Sequence, residues 1–165
     1  MGKANYWASG FQLLTELSGE SGLLSYGVAN GVAISVGDML AFASGYVQRA
    51  TTFAAVSSGT LLAGISLDFN ATGDASSAGV VTSRVIKLSP CNRFIVPVGS
   101  ATKITQAAVG TAINMYSGTP GKIDLSGTMT IGYAFIVEAI DASAAAVAVN
   151  AAGYAIGHFE FIAAN

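Results

Sequence analysis

An ordered internal repeat limits the folds open to this chain more than any other feature. Residues 127–139 read GTMTIGYAFIVEA, a run rich in Ile, Tyr, Phe and Val with Glu138 as its one charge. Such a run after a Gly-containing turn predicts a long strand. Residues 59–67 read GTLLAGISL, which repeats the Gly, the Thr and the inner Gly at a spacing of 68. Other matches keep the same order. Val36-Gly37 with Leu40 and Phe42 returns as Val109-Gly110 with Ile113 and Met115, and Ser44-Gly45 returns as Ser117-Gly118, both 73 residues on. Asp74-Ala75-Ser76 returns as Asp141-Ala142-Ser143, and Phe94-Ile95 as Phe161-Ile162, both at 67. Spacings that shrink along the chain put the length changes in loops, where they are tolerated. Gly64 should then overlie Gly132, and Asp74 should overlie Asp141. Two copies are too few for a solenoid. Residues 31–98 and 103–163 are therefore expected to be two related halves of a small β-barrel or β-sandwich, closing one barrel or forming two subdomains.

The rest of the text after residue 31 agrees with an all-β fold. Short β-rich runs cover 39–42, 46–49, 61–67, 80–88, 93–98, 112–115, 128–138, 145–149 and 156–162. Turn residues such as Ser44-Gly45 and Thr119-Pro120-Gly121 separate them. Many short strands between Gly-rich turns point to a sandwich or barrel. At 145–149 the alternation of Ala and Val is read as strand, against the helix preference of Ala.

Residues 1–30 form a separate N-terminal arm in this reading, leaving 31–165 as the β domain. Trp7, Phe11, Leu14 and Leu17 fall at helical spacing, so the arm is either a short amphipathic helix or an extended segment. Each large apolar side chain gains about 1.5–3 kcal/mol on burial. These four are accordingly expected to contact a partner surface, on a neighbouring subunit or a larger shell.

The 165 residues are 52% hydrophobic and only 10% charged, against a typical ~25% charged. That balance favours a surface buried between chains, hence a homo-oligomer. The net charge is −2 and the seven basic residues are scattered, which argues against nucleic acid as a partner. No uncharged run has the length and apolarity of a membrane span. One cysteine, Cys91, excludes an intrachain disulfide framework. No secretory leader follows the first ten residues, and Tyr6 stands where a myristoylation motif needs Ser or Thr.

Chemistry leaves little trace. Asp68, Asn70, Thr72, Gly73 and Asp74 resemble the start of a calcium loop, but Gly79 occupies the place of the bidentate Glu, so the segment reads as a polar hairpin loop. Asn70-Ala71-Thr72 is a formal glycosylation sequon, read as a turn. His158 is the one histidine, and Glu160 shares its face in a strand; a surface contact explains the pair. Phosphate-loop, dinucleotide, CxxC and nucleophile-elbow motifs are all missing, as are the ligands of a zinc site. The expectation is no enzyme, no catalytic residue, no metal and no cofactor.

The phrases Ser35-Val36-Gly37-Asp38-Met39-Leu40 and Ala108-Val109-Gly110-Thr111-Ala112-Ile113 resemble a turn-and-strand of tailed-phage head decoration, or capsid cement, proteins. Ile131-Gly132-Tyr133-Ala134 and the Ala-rich stretch 141–149 extend the resemblance over most of 31–149. The second copy departs from it, with Thr111 in place of the Asp. The resemblance implies an oligomer, often a trimer, that sits on the outside of the virion head. It would be made in the host cytoplasm, with the major capsid protein as partner. Another virion structural role, in a tail or minor head protein, and a non-catalytic ligand- or carbohydrate-binding β module are the alternatives.

Overall fold

The computed structural model describes residues 6–16, 23–50, 61–71, 76–115 and 121–163. Eleven strands and one helix lie among them: β1 (Gln12–Glu16), β2 (Leu23–Gly27), β3 (Met39–Ala43), β4 (Tyr46–Arg49), β5 (Leu62–Ser66), β6 (Thr82–Ile86), β7 (Asn92–Pro97), β8 (Ala112–Met115), β9 (Ile123–Thr128), β10 (Gly132–Asp141), α1 (Ala144–Val149) and β11 (Tyr154–Ile162). They form two antiparallel sheets, one ordered β2-β6-β5-β3-β4 and the other β1-β7-β11-β10-β8-β9. The all-β expectation holds, as two sheets that share a core and not as one closed barrel.

The internal repeat is present in the strand order. Reading β2 to β6 against β7 to β11 turns the first sheet into the second, with β1 added at its edge. Individual bonds match as well. Gly37 N–H donates to Ser66 O and Ser66 N–H to Asp38 O; Gly110 N–H donates to Val137 O and Val137 N–H to Thr111 O. Gly37 and Gly110 both have positive φ, 87° and 84°, which only glycine adopts without strain. A single parallel bridge ties the first strand of each half to its third, Val28 to Val47 and Val98 to Ile123. Each sheet is thereby curled towards itself.

These bonds also correct the sequence alignment. Leu40 lies across from Gly64, and its counterpart Ile113 lies across from Phe135. Phe135 therefore takes the place of Gly64, and Gly132, three residues earlier, opens β10. The match of Phe94-Ile95 to Phe161-Ile162 is accidental, because β7 begins the second half and does not close the first. The halves run from β2 to β6 and from β7 to β11. Asp74 lies outside the described residues.

Three element expectations change. The stretch 127–139 is two strands, with Gly127 and Thr128 ending β9 and a turn before β10. Residues 144–149 are the helix α1, because Ser143 Oγ accepts from Ala146 N–H as an N-cap and Ala then follows its own preference. The arm is not separate from the β domain, since β1 and β2 belong to the two sheets.

The main core lies between the sheets. Met39, Ala41, Ile65 and Ile86 from the first half join Phe94, Val96, Ile113, Phe135, Val137 and Phe159 from the second. The opposite face of the first sheet buries Val28, Leu40, Val47, Ala63 and Val85 inside its own curl. Residues of β3, β5 and β6 are thus buried on both faces.

Candidate functional site

The four arm residues singled out in the sequence take different places. Phe11 is 1% exposed and stacks among Phe94, Phe135 and Phe159, with ring centroids 5.2–6.5 Å apart. It is a core residue of its own chain, which corrects the expectation that it meets a neighbour. Trp7 is half-buried, and its carbonyl accepts from Tyr154 Oη at 2.9 Å. Leu14 faces outward at 41% exposure. Leu17 lies outside the described residues.

Backbone explains why the segment is extended and not helical. Gly10 N–H donates to Gly121 O and Phe11 N–H to Gly37 O, both at 2.8 Å. A Cβ on Gly121 would sit 2.7 Å from Gly10 N, and one on Gly37 would sit 3.0 Å from Phe11 N. Glycines at those positions let the arm pass close to both halves, and β1 then pairs with β7. Tyr6 Oη donates to Asp141, and its ring lies 4.8 Å from that of Tyr154. The Asp141 hydrogen bond holds the Tyr6 hydroxyl above its ordinary value. Burial would raise the Asp141 carboxyl, but hydrogen bonds from Tyr6 and Ser143 together keep it low.

His158 lies in a charged cluster on the outer face of β7, β11 and β10. Its Nδ1 is 3.0 Å from Glu138 Oε1, and its Nε2 is 3.7 Å from Glu160 Oε2. Glu138 also pairs with Arg93. The Glu160 neighbour was legible from alternation. Glu138 and Arg93 were not, because they reach His158 only through the register of three strands. Both imidazole nitrogens face carboxylates, and nucleophile activation would need a hydroxyl or thiol there. Cys91 sits in the turn before β7, where its N–H donates to Ser89 Oγ. Among the described residues no group of three His, Cys, Asp or Glu side chains could hold a metal ion.

The Asp68 loop serves the sheet. Asp68 accepts from Arg84 N–H at 2.6 Å and from the Arg84 guanidinium at 2.6 and 3.0 Å. Arg84 holds the Asp68 carboxyl below the ordinary range. A cleft of about 400 Å³ opens beside β9, lined by Ser, Thr and Ala residues with Lys103 and Leu125, and its walls are more apolar than polar. Apolar exposure is concentrated elsewhere, at Leu23, Leu24, Leu61, Phe69, Val80 and Phe161. Among the described residues no helix is long and apolar enough to cross a membrane. Comparison of the chain with family models, curated proteins and solved structures gives no match.

Proposed function

We propose that this chain is a virion structural protein, a decoration or cement protein that binds the outside of a tailed-phage head and braces the major capsid lattice. The observation that carries the reading is the pair of Val-Gly turns on which the resemblance rests. Gly37 and Gly110 make the same pair of backbone bonds to equivalent strands, so the motif is built twice in one chain and in equal geometry. Low charge and exposed apolar side chains suit a protein that works against other protein surfaces. The role needs no turnover. A homo-oligomer is part of the proposal, and a trimer is the form that the resemblance implies.

Mixing the purified chain with undecorated heads tests it. The expected result is saturable co-sedimentation, with decorated heads surviving higher temperature than bare ones and His158→Ala or Cys91→Ser binding as well as the parent. Heads that neither bind the chain nor gain resistance overturn the reading. The cleft beside β9, with Lys103 and several Ser and Thr residues in its lining, favours one alternative, a module that binds a small ligand such as a glycan; saturable glycan binding lost in Lys103→Ala would support it.

A further inference from the structure

The comparison of the halves reveals a slot filled in one and open in the other. In the second half, β1 lies along the outer edge of β7, with Gln12 opposite Ile95 and Thr15 opposite Arg93. The counterparts of Arg93 and Ile95 in the first half are Leu23 and Ser25, since Val98 and Val28 make the same bridge. The backbone groups of Leu23 and Ser25 point away from β6. Val28 N–H points to β6, donating to Val81 O, and Ala29 N–H points outward, donating to Val47 O. Alternation along an antiparallel strand then turns residues 27, 25 and 23 outward. β4 meets that edge only at its end, through the Val28–Val47 bridge, and among the described residues no strand pairs with it at Leu23 to Ser25.

The side chains repeat the contrast. Phe94 is fully buried, under the core that Phe11, just before β1, completes, whereas its counterpart Leu24 is 43% exposed and the adjacent Leu23 47%. β2 reads LLSYG, with neither a charge nor a Pro of the kind that keeps natural edge strands from pairing.

We infer that the outer edge of β2 is an interface between two copies of this chain, each adding β2 to the other as an antiparallel strand. An edge that pairs with itself satisfies both partners around a two-fold axis. With Leu24 opposite Leu24 of the second copy, residues 23 and 25 exchange backbone hydrogen bonds across the axis. The two central leucines then meet at a non-hydrogen-bonded site, where side chains approach most closely. The slot that β1 fills within one chain is filled here between chains. This contact does not depend on where the protein acts, and it is separate from any threefold assembly; a trimer that also used it would have the mass of a hexamer.

The test uses the full chain at micromolar concentration, with its mass read by light scattering or sedimentation. The expected result is an even number of chains, with Leu24→Lys halving the mass while the chain keeps a cooperative melt, since within one chain Leu24 is 43% exposed. In a Cys91→Ser background, Leu24→Cys should form an interchain disulfide under mild oxidation, and Leu61→Cys, exposed but far from β2 in the strand order, should not. A monomer, an odd-numbered assembly, or an oligomer whose mass survives Leu24→Lys overturns the inference. Equal cross-linking at Leu24→Cys and Leu61→Cys overturns it as well.

Discussion

On the outer face of the first sheet, Met39, Ala41, Ile65 and Ile86 are buried. Their counterparts in the second half are Ala112, Asn114, Ile136 and His158, all partly open to water. The backbone plan is the same, and the difference follows from what lies above each sheet. The second half covers the first sheet's outer face, so that face is apolar. Ala146 of α1 and Tyr6 cover only the part of the second sheet's outer face that holds Ile95 and Tyr154, and the rest carries His158, Glu138 and Arg93 instead. Two copies of one unit have diverged according to their neighbours, as burial demands.

The interiors diverged in pairs. Gly64 and Val85 of the first half correspond to Phe135 and Gly157 of the second. A Cβ on Gly64 would lie 2.7 Å from Val85 Cγ1, and one on Gly157 would lie 3.2 Å from Phe135 Cε1. In each half a glycine makes room for the larger neighbour on the adjacent strand, but the glycine has changed strands. Likewise Ser66 and Ser83, fully buried with their hydroxyls 2.8 Å apart, correspond to Val137 and Ala155.

The largest effect should come from undoing the glycine exchange. Gly157→Val installs the first-half residue where a Cβ would lie 1.8 Å from Ile136 O. The β10–β11 ladder cannot move that far, and the expected loss is about 4 kcal/mol or more, read as failure to give a cooperative melt. A well-folded Gly157→Val would break the claim that the second half needs its glycine on this strand. Next, Phe11→Ala should cost about 3 kcal/mol in urea titration by leaving a cavity between three phenylalanines. A loss below about 1 kcal/mol would show that β1 leaves its slot easily.

The serine pair gives a smaller and sharper test. Ser66→Val leaves the Ser83 hydroxyl only its long 3.5 Å bond to Arg84 O and strands the Asp68 N–H that bonds Ser66 Oγ at 3.2 Å, for a loss of about 2 kcal/mol. Adding Ser83→Ala should cost less than the sum of the two single changes, since removing both polar partners leaves fewer orphans. Full additivity would mean that the two hydroxyls do not act as a pair.

The smallest effect concerns the two Val-Gly turns. Asp38 accepts from Ser35 N–H at 2.8 Å and pairs with Arg49 at 3.1 Å, while Thr111 in the other turn donates to Ala108 O at 2.6 Å. Burial pushes the Asp38 carboxyl up against those two partners. Its contribution to stability is therefore full below the unfolded carboxyl value and is lost as pH rises through the folded one. Asp38→Thr should cost about 1 kcal/mol in acid and less at neutral pH, measured by melts at both. A cost that grows with pH would reverse the sign assigned to burial.

Much of the fold was legible in the sequence because it rests on local signals. β4 and β8 occupy residues 46–49 and 112–115 as read, since Ser44-Gly45 and the Val-Gly turns mark where a strand can begin. The duplication was legible for the same reason. Its register was not: Gly132 resembles Gly64 in text, and only cross-strand bonds place Phe135 there. Helical spacing of Trp7, Phe11 and Leu14 left helix and extended segment both open, because the edge that captures β1 lies about 80 residues away in β7. α1 was misread by giving alternation precedence over the Ser143 cap. The open edge of β2 appears only when the two halves are laid over each other.

The place of β1 also sets an order of events on the ribosome. Its partner strand is made long after it emerges, while β2 to β6 contain every strand of the first sheet. The first sheet can assemble as soon as β6 leaves the exit tunnel, with β1 still waiting. Domains form in the order they are synthesised and distant pairings close late. β1 therefore waits for a partner made about 80 residues later, and until it docks Phe11 remains in water and the second half lacks part of its core.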